Sequence, residues 1–151
     1  MKDFIKKKLR EDLEYYSVDD ANPESNEYDI GIKLENNEVA TSLDKSKIKI
    51  RKGVINNLLV YSPIYDGDKM GAFRLKKVED GFKIFGSVLY DDFQGIGLGK
   101  AMYKYIIKDL ARKGLTLYSD DNQSSQASRV WDKLVDMGVA EKIGGIYKSK
   151  N

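Results

Sequence analysis

The chain has 151 residues, of which 41% are hydrophobic and 33% are charged, which predicts one soluble globular domain rather than a disordered chain. Cysteine and histidine are both absent, and this excludes disulfides, Ser-His-Asp and Cys-His catalysis, and the usual zinc and iron sites. The net charge of +2, from 26 basic and 24 acidic residues, is not typical of a nucleic-acid-binding protein.

The first half of the chain predicts one helix and several strands. Apolar residues at spacings of four, four and three predict an amphipathic helix over residues 2–16. A polar loop follows, and the period-two alternation of residues 28–34 predicts a strand with one apolar face. Short apolar runs predict two further strands, one around Ile48 and Ile50 and one over residues 54–61.

The second half begins with a predicted β-hairpin. Residues 69–78 and 82–90 are strand-like and are joined around Asp80-Gly81, a pair that favours the positive φ angles of a tight turn. After Gly97 the apolar period changes to about 3.6, which predicts an amphipathic helix. The apolar stripe of this helix comprises Leu98, Ala101, Met102, Tyr105, Ile106 and Leu110.

The last third of the chain predicts a strand, a helix and a closing strand pair. Residues 115–118 form the short apolar run of a strand. Ser124 or Ser125 can cap a further helix that ends before Gly138. Residues 139–148 predict two strands joined by a glycine turn.

The junction between the hairpin and the following helix is rich in glycine and reads, from residue 94 to residue 99, Gln-Gly-Ile-Gly-Leu-Gly. Alternate glycines let a backbone pass close to a ligand with its N–H groups turned inward. The helix start adds unsatisfied amide donors and the positive end of the helix dipole. The junction therefore predicts an anion site suited to phosphate or pyrophosphate.

Two nucleotide-binding patterns fit this loop less well. A P-loop would need glycine in place of Gln94 and a hydroxyl residue in place of Ala101. A dinucleotide fingerprint would need its third glycine one residue after Gly99, near the start of a βαβ unit. Both patterns stay open as the weaker interpretations.

The same six residues match the pattern Gln/Arg-x-x-Gly-x-Gly/Ala at every defined position, and this is the coenzyme A pyrophosphate loop of GNAT acetyltransferases. The order of hairpin, loop, helix, strand, capped helix and closing strands also resembles that family, over about half of the chain. The resemblance implies an α/β fold with a central mixed, mainly antiparallel sheet flanked by helices. It implies one domain over residues 1–151, with an atypical N-terminal half, residues 1–68, and a coenzyme A-binding half, residues 69–151.

The resemblance also implies acetyl-CoA as co-substrate and gives roles to residues around the loop. The backbone amide of Leu89 would polarise the acetyl carbonyl, and Asn122 or Ser124 would contact the pantetheine arm. The cofactor pyrophosphate would be held by the loop and the helix start, that is by Gln94, Gly95, Ile96, Gly97, Leu98, Gly99 and Lys100.

Catalytic groups are harder to assign. The family commonly has a tyrosine acid on the later helix, where this chain has Trp131, whose indole N–H is a donor but no useful acid. Tyr118 and Tyr103 are alternative acids. The candidate general bases are acidic residues beside the loop, after the next strand and at the hairpin turn, namely Asp91, Asp92, Asp120, Asp121 and Glu79.

The resemblance therefore implies an acetyl-CoA-dependent N-acetyltransferase that transfers acetyl to a primary amine of a small molecule or protein by direct attack. One alternative is a GNAT-fold protein without catalysis that acts as a coenzyme A-binding, interaction or phage structural module. Another is a different phosphate or nucleotide binder with a similar loop.

The expected setting of the protein follows from what the sequence lacks. No apolar run approaches the ~20 residues of a membrane span, and residues 1–4 do not begin a signal peptide. The absence of cysteine fits a reducing compartment, so we expect a cytoplasmic protein. No metal and no nucleic-acid partner are expected. The mildly basic, tyrosine-rich composition permits a homodimer without requiring one. Small members with this loop occur in bacteria and phages, which the resemblance implies as the source.

Overall fold

The computed structural model of the protein describes residues 27–29, 47–95 and 97–150. The helix predicted over residues 2–16 lies outside the described residues. Of the strand predicted over residues 28–34, only the start is described, within a strand at Glu27–Asp29.

Strands dominate the described part of the chain. They are β1 (Glu27–Asp29), β2 (Ile48–Ile55), β3 (Leu58–Tyr65), β4 (Asp68–Lys69), β5 (Gly71–Val78), β6 (Gly81–Leu89), β7 (Thr116–Tyr118), β8 (Ala140–Ile143) and β9 (Ile146–Ser149). The helices are α1 (Leu98–Ala111) and α2 (Ser125–Asp136), with a short 3₁₀ helix at Asp91–Phe93.

These strands form one sheet in the order β1-β2-β3-β5-β6-β7-β9-β8, with β4 paired to β3. The β6–β7 pair is parallel, and the other pairings of the described strands are antiparallel. The predicted α/β architecture, a mixed and mainly antiparallel sheet flanked by helices, is confirmed. None of the described helices is long and apolar enough to cross a membrane.

The prediction of one strand over residues 54–61 is wrong. Asn56 and Asn57 have φ angles of 52° and 64° and form a two-residue turn, so that Ile55 pairs with Leu58 across a β2–β3 hairpin. Asparagine is among the few residues that tolerate positive φ, and two in succession suit the turn type that matches the twist of a hairpin. The apolar residues on both sides conceal this turn in the sequence.

The predicted β5–β6 hairpin is confirmed, but Gly81 serves a different purpose from the one expected. Gly81 pairs with Val78 as the first residue of β6 and is not among the residues with positive φ. A Cβ on Gly81 would lie 1.9 Å from the carbonyl oxygen of Thr116, the first residue of β7. The glycine is therefore needed because β7 passes so close to β6.

A register shift changes the expected alternation of β6. Between Arg74 and Leu75 of β5 the pairing skips Phe85, which leaves an extra residue on β6. Unbroken alternation would place Ile84, Val88 and Tyr90 on one face, but Ile84, before the shift, is buried, whereas Val88 and Tyr90 are exposed. The bulge thus reorients the end of β6.

Helix α1 covers one face of the sheet, and its predicted apolar stripe is fully buried. Three residues off this stripe, Tyr103, Ile107 and Asp109, are buried as well. Asp109 Oδ2 accepts hydrogen bonds from Lys52 Nζ at 2.7 Å and from the Tyr61 hydroxyl at 2.6 Å. Burial lowers the pKa of Lys52, although its hydrogen bond to Asp109 acts in the opposite direction. This ionic cluster ties α1 to β2 and β3.

Helix α2 begins as predicted. The Ser124 side chain accepts a hydrogen bond from the Ala127 amide at 3.1 Å, which confirms Ser124 as the cap. Trp131, only 1% exposed, stacks on Tyr147 of β9 with a centroid distance of 5.7 Å. Trp131 therefore packs in the core between α2 and the sheet.

Candidate functional site

The sheet opens between β6 and β7. These strands pair only from Gly81 to Lys83 on β6, after which β7 leads into Ser119, whose amide donates to the Tyr147 carbonyl of β9 at 2.9 Å. Strand β6 continues to Leu89 alongside β5. Within the described residues, the second half of β6 thus has a neighbouring strand on one side only.

The backbone of β6 presents amide groups to this opening. The N–H of Tyr90 donates to the Met70 carbonyl at 2.9 Å, at the end of the β5–β6 ladder. Backbone groups of an antiparallel strand point alternately to its two sides, so the N–H groups of Ser87 and Leu89 point away from β5. The carbonyl of Leu89 fits this alternation, because it accepts from the Gln94 side chain at 2.8 Å on that side.

A pocket of about 660 Å³ lies at the opening. Its walls are the end of β6, the glycine loop, the first turns of α1 and one face of α2. Gly95 and Gly97 have φ angles of 74° and 84°, a conformation that glycine adopts without strain. The loop therefore depends on these two glycines for its path around the pocket.

Helix α1 starts at the pocket without a side-chain cap. Its N-cap residue is Gly97, and no side chain hydrogen-bonds to the first-turn amides as a cap. These amides, which belong to Leu98, Gly99 and Lys100, lie in residues that line the pocket. The helix start therefore has unsatisfied donors and a positive dipole end available for an anion.

The charged side chains around the pocket have one sign. Lys100 comes from α1, and Arg129 and Lys133 come from α2. Among the described residues that line the pocket, none is an aspartate or a glutamate. Because low-dielectric walls focus the field of such charges, the pocket attracts anionic ligands.

Most residues predicted to bind a cofactor come together here. Ile96 lies outside the described residues, and Asn122 is exposed and does not line the pocket. The others line it, namely Leu89, Gln94, Gly95, Gly97, Leu98, Gly99, Lys100 and Ser124.

The residues predicted to be catalytic lie elsewhere. Asp91 and Asp92 are exposed in the 3₁₀ helix before the loop and do not line the pocket. The Tyr118 hydroxyl donates to the Asp80 carboxylate at 2.7 and 2.9 Å. Asp80 precedes the nine-residue strand β6, so this pair lies roughly 30 Å along the strand from Leu89, at ~3.3 Å per residue.

Tyr103 is a pocket residue that sequence reasoning named only as one of two alternatives. It is 3% exposed, and its hydroxyl lies 3.2 Å from Ser87 Oγ on β6. Its ring is held between Phe73 and Trp131, with centroid distances of 5.6 and 5.5 Å. Burial raises the pKa of the Tyr103 phenol, so it keeps its proton at neutral pH. The sequence places Tyr103 one helical turn after Gly99, so its side chain is expected on the same side of the helix as the loop. This spacing is the signal that could have identified Tyr103 as a pocket residue.

No family model matches the sequence of this chain, and no curated protein matches it. Among solved structures, the chain is similar to PaiA N-acetyltransferase from Thermoplasma acidophilum in complex with coenzyme A, at 17% identity and a TM-score of 0.47. That match covers 62% of this chain and 61% of the other, which is less than two thirds of the other protein's length.

Two further solved structures are similar. A GNAT family acetyltransferase from Elizabethkingia anophelis with acetyl-CoA bound has 15% identity and a TM-score of 0.48, covering 62% of this chain and 76% of that one. RimL, a ribosomal L7/L12 alpha-N-protein acetyltransferase, has 17% identity and a TM-score of 0.45, covering 60% and 68%.

Proposed function

We propose that this protein is an acetyl-CoA-dependent N-acetyltransferase that transfers acetyl to a primary amine of a small molecule or protein. The observation that carries this proposal is the uncapped start of α1, which opens with the glycine loop into a pocket whose charged lining residues, among those that the structure describes, are all basic. This arrangement suits a pyrophosphate, and the pocket volume lies in the range of about 300–1,000 Å³ typical of small-ligand sites.

The open edge of β6 supports a coenzyme A thioester over a simple nucleotide. The pantetheine arm of coenzyme A contains amide groups that can hydrogen-bond to an unpaired strand edge, as an added strand would. The N–H groups of Ser87 and Leu89 face this edge. In the proposed complex the Leu89 amide polarises the acetyl carbonyl, and the loop holds the pyrophosphate nearby.

The proposed reaction is a direct displacement. The amine nitrogen attacks the thioester carbonyl carbon, the C–S bond breaks, and the departing thiolate takes a proton. Tyr103 is the proposed donor of that proton, because its phenol lines the pocket beside Ser87 and burial keeps it protonated. Asp91 and Asp92 do not line the pocket, but they remain the proposed bases because their exposed carboxylates come two and three residues after Leu89, at the end of β6.

Calorimetric titration with acetyl-CoA, followed by a thiol-release assay on a panel of primary amines, tests the function. We expect saturable binding, with a dissociation constant between about 1 μM and 1 mM, and turnover of at least one amine. Absence of binding at millimolar acetyl-CoA would contradict the proposal. Equal competition by ATP or NAD would indicate a general nucleotide site, and binding without turnover of any amine would indicate a non-catalytic coenzyme A-binding protein.

Replacing Tyr103 with phenylalanine is expected to lower kcat by about 100-fold while leaving acetyl-CoA affinity nearly unchanged. The ring packing between Phe73 and Trp131 survives this change, and only the proton donor is lost. Because the phenol pKa is raised above its ordinary value of 10.0, wild-type kcat should show no loss from this group between pH 7 and 9. Steady-state kinetics of wild type and variant measure both effects.

Tyr118→Phe is the matched control for this prediction. It removes a phenol that lies outside the pocket and bonds to Asp80. We expect its kcat to stay close to wild type. If Tyr118→Phe reduced kcat as much as Tyr103→Phe, the assignment of Tyr103 as the donor would be wrong.

A further inference from the structure

Two cations on α2 line the pocket on the wall opposite the start of α1. Arg129 and Lys133 are one turn apart, on the face of α2 that also carries Val130. A Cβ on Gly99 would lie 3.9 Å from Val130, so this face of α2 is directly opposite the first turn of α1. We call Arg129 and Lys133 the α2 cation pair.

The α2 cation pair is unfavourable for the helix by itself. Like charges at positions i and i+4 of a helix destabilise it, where opposite charges would stabilise it. Arg129 Nε donates to the Ser125 carbonyl one turn back, at 3.3 Å. Neither Arg129 nor Lys133 forms an ion pair with a carboxylate within the described ranges. A bound anion would turn this repulsion into attraction.

The α2 cation pair and the proposed pyrophosphate site belong to different walls of the pocket. At the loop the pyrophosphate has the uncapped amides of Leu98, Gly99 and Lys100, together with the helix dipole, and these are backbone groups of the opposite wall. A second anionic group on the same ligand would give the α2 cation pair its own partner. In coenzyme A that group is the 3′-phosphate, which sits on the same ribose as the pyrophosphate.

We propose that Arg129 and Lys133 bind the 3′-phosphate of coenzyme A, so that the pocket selects coenzyme A over its dephospho form. This inference rests on the proposed function, since it assumes that the pyrophosphate occupies the start of α1. A guanidinium and an ammonium both make charge-assisted hydrogen bonds to phosphate, and the guanidinium fork adds geometric preference.

Calorimetry with coenzyme A and dephospho-coenzyme A tests the inference on the wild-type protein and on an Arg129→Ala/Lys133→Ala variant. Wild type should bind coenzyme A about tenfold more tightly than dephospho-coenzyme A, as expected for charge-assisted hydrogen bonds at an exposed site. The variant should lose this preference because its affinity for coenzyme A falls, while its affinity for dephospho-coenzyme A stays unchanged. The preference of wild type should also shrink as salt is raised.

Arg74→Ala/Lys76→Ala is the matched control, because it removes one exposed arginine and one exposed lysine of β5 outside the pocket. It should keep the wild-type preference. If wild type bound the two ligands equally, this inference would be wrong and the proposed function would stand. The same would follow if the α2 variant lost affinity for both ligands to the same extent. No binding of either ligand by wild type would contradict the proposed function and the subsite together.

Discussion

Replacing Gly97 with glutamate is expected to weaken acetyl-CoA binding by more than about 100-fold while the protein stays folded. Gly97 is the N-cap of α1 and has a φ of 84°. A glutamate there places a carboxylate among the amides that would receive the pyrophosphate, and juxtaposed like charges cost several kcal/mol. Several kcal/mol corresponds to at least a hundredfold in affinity.

The control for this variant is Gly67→Glu. Gly67 has a φ of 90° in the β3–β4 turn, and a Cβ on it would meet nothing within 4 Å. The control therefore adds the same charge and a similar backbone strain of about 1–2 kcal/mol, away from the pocket. Calorimetry should show wild-type binding for Gly67→Glu and no detectable binding for Gly97→Glu.

Circular dichroism and thermal unfolding of both variants separate binding from folding. If a folded Gly97→Glu protein bound acetyl-CoA with wild-type affinity, the loop would connect β6 to α1 without taking part in acetyl-CoA binding. Loss of binding in both variants would point to strain or net charge rather than to the position of Gly97.

The parts of this site that the sequence predicts are the ones encoded by neighbouring residues. The glycine loop and the Ser124 cap are local patterns, and the apolar stripe of α1 repeats with the helical period. Each depends on residues within one or two turns of one another. That is why the sequence alone identifies the loop, the helix start and about half of the described residues that line the pocket.

The features that the sequence did not reveal depend on contacts between distant residues. Lys52 and Asp109 are 57 residues apart, and nothing near either residue indicates that they pair. Ser87 and Tyr103 are 16 residues apart, and the bulge at Phe85 decides which β6 side chains turn toward α1. A choice between Tyr103 and Tyr118 as the acid therefore requires the register of the sheet.

Turns hidden inside apolar runs are a second limit. Asn56 and Asn57 are flanked by isoleucine and leucine, so hydrophobic periodicity treats the segment as one strand. The turn forms because both asparagines adopt positive φ and the strands on either side pair over their full length. Turn chemistry decides the structure here against the apolar pattern.

Replacing Asp109 with alanine is expected to lower the free energy of unfolding by about 3–5 kcal/mol, the range for breaking a buried ion pair by removing one partner. Lys52 is only 4% exposed, so without Asp109 its ammonium would stay buried without that counter-charge. The Tyr61 hydroxyl would also lose this acceptor. Urea unfolding followed by circular dichroism measures the loss.

Asp121→Ala is the control for a surface ion pair. Asp121 Oδ2 lies 2.6 Å from Lys83 Nζ, a distance similar to that of the buried pair, but its side chain is 63% exposed. Surface pairs contribute about 0–1 kcal/mol, so this variant should remain close to wild type. Similar losses in Asp109→Ala and Asp121→Ala would show that burial does not set the strength of the Lys52–Asp109 pair.

The pH dependence of Asp109→Ala gives an independent check. Burial already lowers the pKa of Lys52 in the wild type, and loss of Asp109 removes the contacts that raise it. The folded variant then releases the Lys52 proton at lower pH than the unfolded chain, so the unfolded state holds more protons in that window. Its stability should therefore rise with pH toward 10.5, relative to wild type.

A Lys52→Met/Asp109→Leu double variant should recover most of the stability that Asp109→Ala loses. In this variant an apolar pair replaces both members of the buried ion pair, so neither charge remains in the core.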